Sequence, residues 1–190
     1  VTKAAEHSLL LEVGAEHAVA ATKTYTASLL AAYQLVRALG AVLPDPRDGI
    51  PDEHWIDRCE QEAQEALIRV LRAGIVFALG RGYGFCTAHE TALKLMECAL
   101  LPCKSYSVAD FEHGPKALAG PASAAIVYGE VPESLRTAEG VVVGAPSRGK
   151  HPAAPIEEIV FGQWLAQKAS LARGLDPDAP PHLEKVTRTY

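Results

Sequence analysis

Apolar residues recur along this chain in two rhythms. Across residues 54–72, Ile56, Cys59, Ala63, Ala66, Leu67, Val70 and Leu71 fall mostly three and four apart among Glu, Gln and Arg. That spacing is one face of an amphipathic helix, and Gly74 stops it. Residues 18–39 repeat Ala, Leu and Tyr at helical intervals up to Gly40, which predicts a second helix, and residues 156–173 predict a third, ended by Gly174. The other rhythm is the short unbroken apolar run bounded by turn residues, which predicts buried strands at 8–13, 75–79, 124–128 and 140–143, with a brief helix at 133–137 between the last two. Buried strands alternating with helices predict an α/β fold whose parallel sheet is covered on both faces.

Proline and glycine divide these elements. The stretch AVLPDPRDGIPD, with Pro44, Pro46 and Pro51, cannot continue the helix before it and reads as a linker. The tail LDPDAPPHLEKVTRTY is Pro-rich and then polar, an extension rather than a further helix. No repeat of fixed period is visible.

With 190 residues, 48% of them hydrophobic, the chain can bury a proper core. A net charge of −5 gives no long-range attraction for nucleic acid or an anionic membrane. Cys59, Cys86, Cys98 and Cys103 form no CxxC pair and no zinc-ligand spacing, so they read as reduced core thiols. The leucines at 9, 10 and 11 are too short a run for a signal core or a membrane span, which makes the cytoplasm the expected compartment.

Three stretches are candidates for chemistry. GRGYG follows the strand at 75–79 and opens the next helix at about Phe85, where free backbone N–H groups can receive an anion. It lacks the third glycine of a dinucleotide fingerprint and the Lys-Ser/Thr of a P-loop, so a plain strand-to-helix turn is the competing reading. In the helix itself Glu90, Lys94 and Glu97 are four and three apart and share a face, while Leu93, Met96 and Leu100 occupy another. A solvated, salt-bridged face accounts for that spacing. The nearly all-apolar surroundings favour instead charges that need partners or a cavity. His113-Gly-Pro, a turn sequence, says little alone.

Taken together, three segments resemble the sugar isomerase (SIS) domain family, as found in the isomerase half of glucosamine-6-phosphate synthase and in SIS-type glucosamine-6-phosphate deaminases. They are GAEHAVAATKTYTASL (14–29), GRGYGFCTAHETALKLMECALLPCKSYSVADFEHGPKAL (80–118) and ARGLDPDAPPHLEKVT (172–187). The resemblance implies a three-layer αβα sandwich with a parallel, flavodoxin-like sheet. It divides the chain into the end of a first SIS subdomain plus linker at 1–49, a shortened second subdomain at 50–174, and a tail over the sugar site at 175–190. Ala21 stands where the synthases have serine, and Glu184 replaces their residue before the tail lysine.

By the same resemblance, Glu97 is the base that shuttles the proton, Lys94 stabilises developing oxygen charge, and His113 helps open the ring. Lys185 closes over the sugar, and its synthase counterpart can form a Schiff base. Glu16, Val19, Ala21, Thr22 and Glu90 are the implied substrate-binding positions. No metal or organic cofactor is implied. The implied partner is a second copy of the chain, a homodimer in which His113 reaches the neighbouring subunit's site. The expected reaction is conversion of glucosamine 6-phosphate to fructose 6-phosphate and ammonia. Its rivals are the isomerase half of a glutamine-dependent synthase and a non-catalytic sugar-phosphate sensor.

Overall fold

The computed structural model describes residues 4–136, 140–147 and 151–185. Four strands, β1 (Ile75–Gly80), β2 (Cys103–Ser107), β3 (Ser123–Tyr128) and β4 (Val141–Ala145), form one sheet in the order β2-β1-β3-β4. All three pairings are parallel. The register brings Gly80, Ser107 and Tyr128 level, with Ala145 beside Tyr128, so the strands end together along one edge.

Alternation along β1 splits the core. Val76 and Ala78 face a cluster shared by helices α2 (Glu53–Arg72), α3 (Gly84–Ala99) and α6 (Ala154–Ala172). Phe77 and Leu79 face the opposite side, packing with Phe111 of the short α4 (Val108–Glu112) and Leu135 of α5 (Glu133–Arg136). This is the expected three-layer αβα sandwich, with one thick helical layer and one thin. Thr137, the last residue of the brief helix expected at 133–137, lies outside the described residues, as do 186–190 of the tail.

Helix α2 follows its sequence pattern closely. Trp55, Cys59, Ala63, Ala66 and Val70 are its buried stripe. Asp52 caps it by accepting from the Trp55 N–H at 2.8 Å, and Trp55 anchors it by donating Nε1 to the Glu157 carbonyl at 2.9 Å. Helix α1 (Lys23–Ala38) docks by Tyr33 against Ala153 and Ile156 at the start of α6, and leaves Leu35, Val36 and Leu39 facing outward.

Several expectations need correction. Residues 8–13 are exposed coil, not a buried strand, with Leu9 71% accessible. An apolar triplet becomes a strand only beside a sheet edge that can pair its backbone, and this one reaches none. The helix expected from residue 18 begins at Lys23, because 16–22 forms a separately bonded turn. Cys86 is exposed, while Cys59, Cys98 and Cys103 are buried as read. Strand β2 and helix α4 were not foreseen; CKSYS carries too little apolar character to stand out.

The glycine turn after β1 is a packing device. A Cβ on Gly80 would sit 2.2 Å from the Gly84 carbonyl oxygen, so only glycine lets the chain double back that tightly into α3. Glu158 is the carboxylate near this turn. It is buried and accepts from Thr87 Oγ1 at 3.3 Å and Ser147 Oγ at 2.6 Å. Burial pushes its pKa up, partly offset by those two hydroxyls. With that carboxyl group beside the start of α3, the plain-turn reading of GRGYG fits better than an anion cradle.

Candidate active site

Lys94 is the least expected feature of α3. It is only 3% exposed, although nothing in its spacing distinguishes it from a surface lysine. Its Nζ donates to Glu97 Oε2 at 2.6 Å and lies 3.3 Å from Glu90 Oε1, an ammonium held between two carboxylates one turn away on either side. Burial alone would depress the lysine. The hydrogen bond to Glu97 and the charges of Glu90 and Glu97 outweigh it and hold the pKa above its usual value. Glu90 moves the other way from an ordinary paired carboxylate: burial raises it more than Lys94 lowers it.

Ala88, Ala92, Leu95, Cys98 and Ala99 form the core-facing side of the same helix, and its larger apolar residues elsewhere are turned outward. Leu93, Met96 and Leu100 are 39%, 41% and 41% exposed. Lys94 is therefore on the inner face, and the solvated salt-bridge alternative does not hold for it.

That inner face opens on a cleft of about 440 Å³. Lys94 and Cys98 supply the α3 wall, Val160, Gln163, Trp164, Ala166 and Gln167 the α6 wall, and Ile56 of α2 one end. Ala18, Ala20 and Thr22 from the segment before α1, with Pro177 and Asp178 from the tail, complete it. No strand contributes to this lining. The cleft lies over the helical layer rather than at the carboxyl ends of the strands, the usual ligand position in open parallel sheets.

The segment before α1 is held by Glu16. Its carboxylate accepts from the Thr22 N–H at 2.9 Å, the Thr24 N–H at 3.2 Å and Thr24 Oγ1 at 2.5 Å. Thr22 occupies the cap position of α1 without any side-chain cap of its own, so Glu16 serves as the cap from outside the helix. Burial opposes ionisation of this carboxyl, but the Thr24 and Thr22 hydrogen bonds, aided by Lys185, win and bring its pKa down to about 2. The tail closes on the same segment. Lys185 Nζ donates to the Ala18 carbonyl at 2.6 Å and stands 3.6 Å from Glu16 Oε2, and the Val19 N–H donates to the Asp178 carbonyl at 2.9 Å.

The sequence-derived site thus divides. Lys94 lines the cleft and joins Glu97 and Glu90, which are not lining residues, in one ion cluster; Thr22 lines it too, and Glu16 and Lys185 hold its roof. Val19 and Ala21 are not among the lining residues; Val19 acts through its backbone, and Ala18 and Ala20 take the lining positions. His113 stands apart. It is exposed on the turn after α4 and contributes nothing to this cleft. Sequence reasoning missed Gln163, which lies in no motif, and Asp178, which falls within the 172–187 segment without being singled out. Among the described residues no group of His, Cys, Asp and Glu is arranged to hold a metal, and no helix is long and apolar enough to cross a membrane.

Comparison with known proteins agrees with this architecture. The C-terminal domain of glucosamine-fructose-6-phosphate aminotransferase from Francisella tularensis superimposes with a TM-score of 0.66 at 22% identity, over 87% of this chain and 58% of that one. Glucosamine-6-phosphate deaminase from Thermotoga maritima gives 0.74 at 23% identity, over 90% and 58%. At such identities these likenesses establish the fold. No protein-family model matches the chain. The sequence carries the likeness further: a glutamine–fructose-6-phosphate aminotransferase from Methanothermobacter thermautotrophicus is 32% identical over 216 residues, spanning 97% of this chain and 36% of the relative.

The fold is that of the sugar isomerase (SIS) class. Within that class the chain resembles the isomerase half of the glutamine–fructose-6-phosphate aminotransferases, and it spans about a third of the length of the curated relatives it matches.

Proposed function

We propose that the Lys94 cleft is an acid–base site for isomerising an amino-sugar or keto-sugar 6-phosphate, and that it works in the direction glucosamine 6-phosphate to fructose 6-phosphate plus ammonia. The observation that carries this reading is the ammonium of Lys94, buried at a cleft and hydrogen-bonded to Glu97. In the opened aldose, Glu97 removes the C2 proton to give an enolamine and returns a proton to C1, leaving an imine at C2. Water then adds to that imine, and ammonia leaves as the C2 ketone forms. Lys94 offsets the negative charge that grows on the C1 oxygen during the first transfer, an effect that is large where water is excluded. The roof formed by 18–22 and the tail, pinned by Lys185, supplies that exclusion.

His113 enters this scheme only through a second copy of the chain, since it is exposed and does not line its own cleft. A homodimer is therefore part of the proposal. The 32% identical aminotransferase favours a second reading, in which this domain is the isomerase half of a glutamine-dependent synthase.

The test is coupled detection of ammonia and fructose 6-phosphate from glucosamine 6-phosphate, with and without glutamine, using the native polypeptide. Turnover indifferent to glutamine, and lowered about two to four orders of magnitude in Glu97→Gln, is the expected result. Glutamine-dependent formation of glucosamine 6-phosphate favours the synthase reading, and tight sugar-phosphate binding without turnover favours the sensor.

A further inference from the structure

Three buried side-chain polar atoms among the described residues lack a hydrogen-bond partner: His151 Nε2, Gln163 Nε2 and Ser170 Oγ. Of these three residues only Gln163 lines the Lys94 cleft. An amide nitrogen shut away from water with no acceptor costs stability, and cleft walls are where a protein retains such a group for a ligand to complete.

The rest of the α6 wall is apolar except for Gln167, whose amide is not among the unpartnered atoms. Val160, Trp164 and Ala166 make up the remainder, with the apolar Ala18 and Ala20 also lining the cleft. Lys94 already supplies the cation for an oxygen that becomes anionic. A neutral carboxamide lining the same cleft suits an oxygen that stays neutral, a sugar hydroxyl or carbonyl.

We infer that Gln163 is a specificity-determining residue of this cleft, donating from Nε2 to an uncharged oxygen of the bound sugar. The inference rests on the sugar-phosphate reading above. A site with a dedicated donor rejects an analogue lacking the acceptor more strongly than an apolar pocket does, because the donor is then left unpaired.

The experiment is a titration of the isotopically labelled chain with fructose 6-phosphate, following the side-chain amide signals, those of Gln163 being identified by their loss in Gln163→Leu. The Gln163 signals should shift in a saturable manner, and inorganic phosphate should not reproduce the shift. Gln163→Leu should keep or raise the melting temperature while weakening fructose 6-phosphate about three- to tenfold, the worth of one hydrogen bond to a neutral group. Gln163→Glu, which offers an acceptor where a donor is needed, should weaken it at least as much. Binding with unmoved Gln163 signals and equal affinities in all three proteins overturns this inference alone. So does a melting temperature lowered by several degrees in Gln163→Leu with affinity intact, or a shift that phosphate reproduces. Failure of the wild-type chain to bind fructose 6-phosphate overturns the sugar-phosphate reading and this inference with it.

Discussion

Replacing Glu16 with glutamine keeps the side chain's shape and removes its charge, so it isolates how firmly the roof of the cleft is fastened. In the native protein this carboxylate accepts three hydrogen bonds from Thr22 and Thr24 and faces Lys185 at 3.6 Å. Its pKa falls from 4.5 to about 2 on folding, a change worth at most about 3.5 kcal/mol at about 1.4 kcal/mol per pH unit. Glutamine still accepts through one oxygen, so about 2 kcal/mol of the total should be lost at pH 7 in Glu16→Gln. The sign follows from the depressed pKa. The stabilisation is complete above pH 4.5 and disappears as pH falls toward 2. Urea unfolding of both proteins across that range should show a stability gap that is widest at neutral pH and closes in acid. Amide exchange at Thr22 and Thr24 should report the same loosening locally. A gap independent of pH, or unchanged exchange at both threonines, would refute the argument that the ionised carboxylate caps α1.

Lys94→Met should leave Glu90 and Glu97 without their shared cation. A loss of about 2–4 kcal/mol at pH 7 is expected in denaturant unfolding, partly regained near pH 5 as one carboxyl takes up a proton; a loss that does not shrink in acid would count against the ion cluster. Thiol titration under native conditions should find Cys86 reacting first, although burial raises its pKa as well, and the other three far more slowly. Burial pushes Cys59 and Cys103 to about 12 and Cys98 to about 11, so all four should react at comparable rates only after unfolding. More than one fast thiol in the folded protein would contradict the burial of the α2, α3 and β2 cysteines.

The sequence by itself determined the elements whose apolar residues form a helical stripe or an unbroken run. The stripe of Trp55, Cys59, Ala63, Ala66 and Val70, the continuous apolar runs of β1 and β3, and the long helix α6 were legible because each buries its own apolar positions whatever it packs against. The grouping of Glu90, Lys94 and Glu97 was legible for the same reason, since helical spacing alone places them on one face. Which face of α3 turns inward was not. Lys94 is enclosed beside the buried Ala88, Ala92, Leu95 and Cys98 while Leu93, Met96 and Leu100 are exposed, a choice made by the packing of α3 against α6 and by the roof of 18–22 and the tail. Nor could spacing show that residues 8–13 lack a strand partner, that Glu16 caps a helix beginning seven residues later, or that Gln163 and Lys94 line one cleft. Each of these depends on which distant segment fills the space beside a residue. Local periodicity fixes how a segment folds, whereas hydrogen-bond partners and enclosure are set by chain brought in from elsewhere.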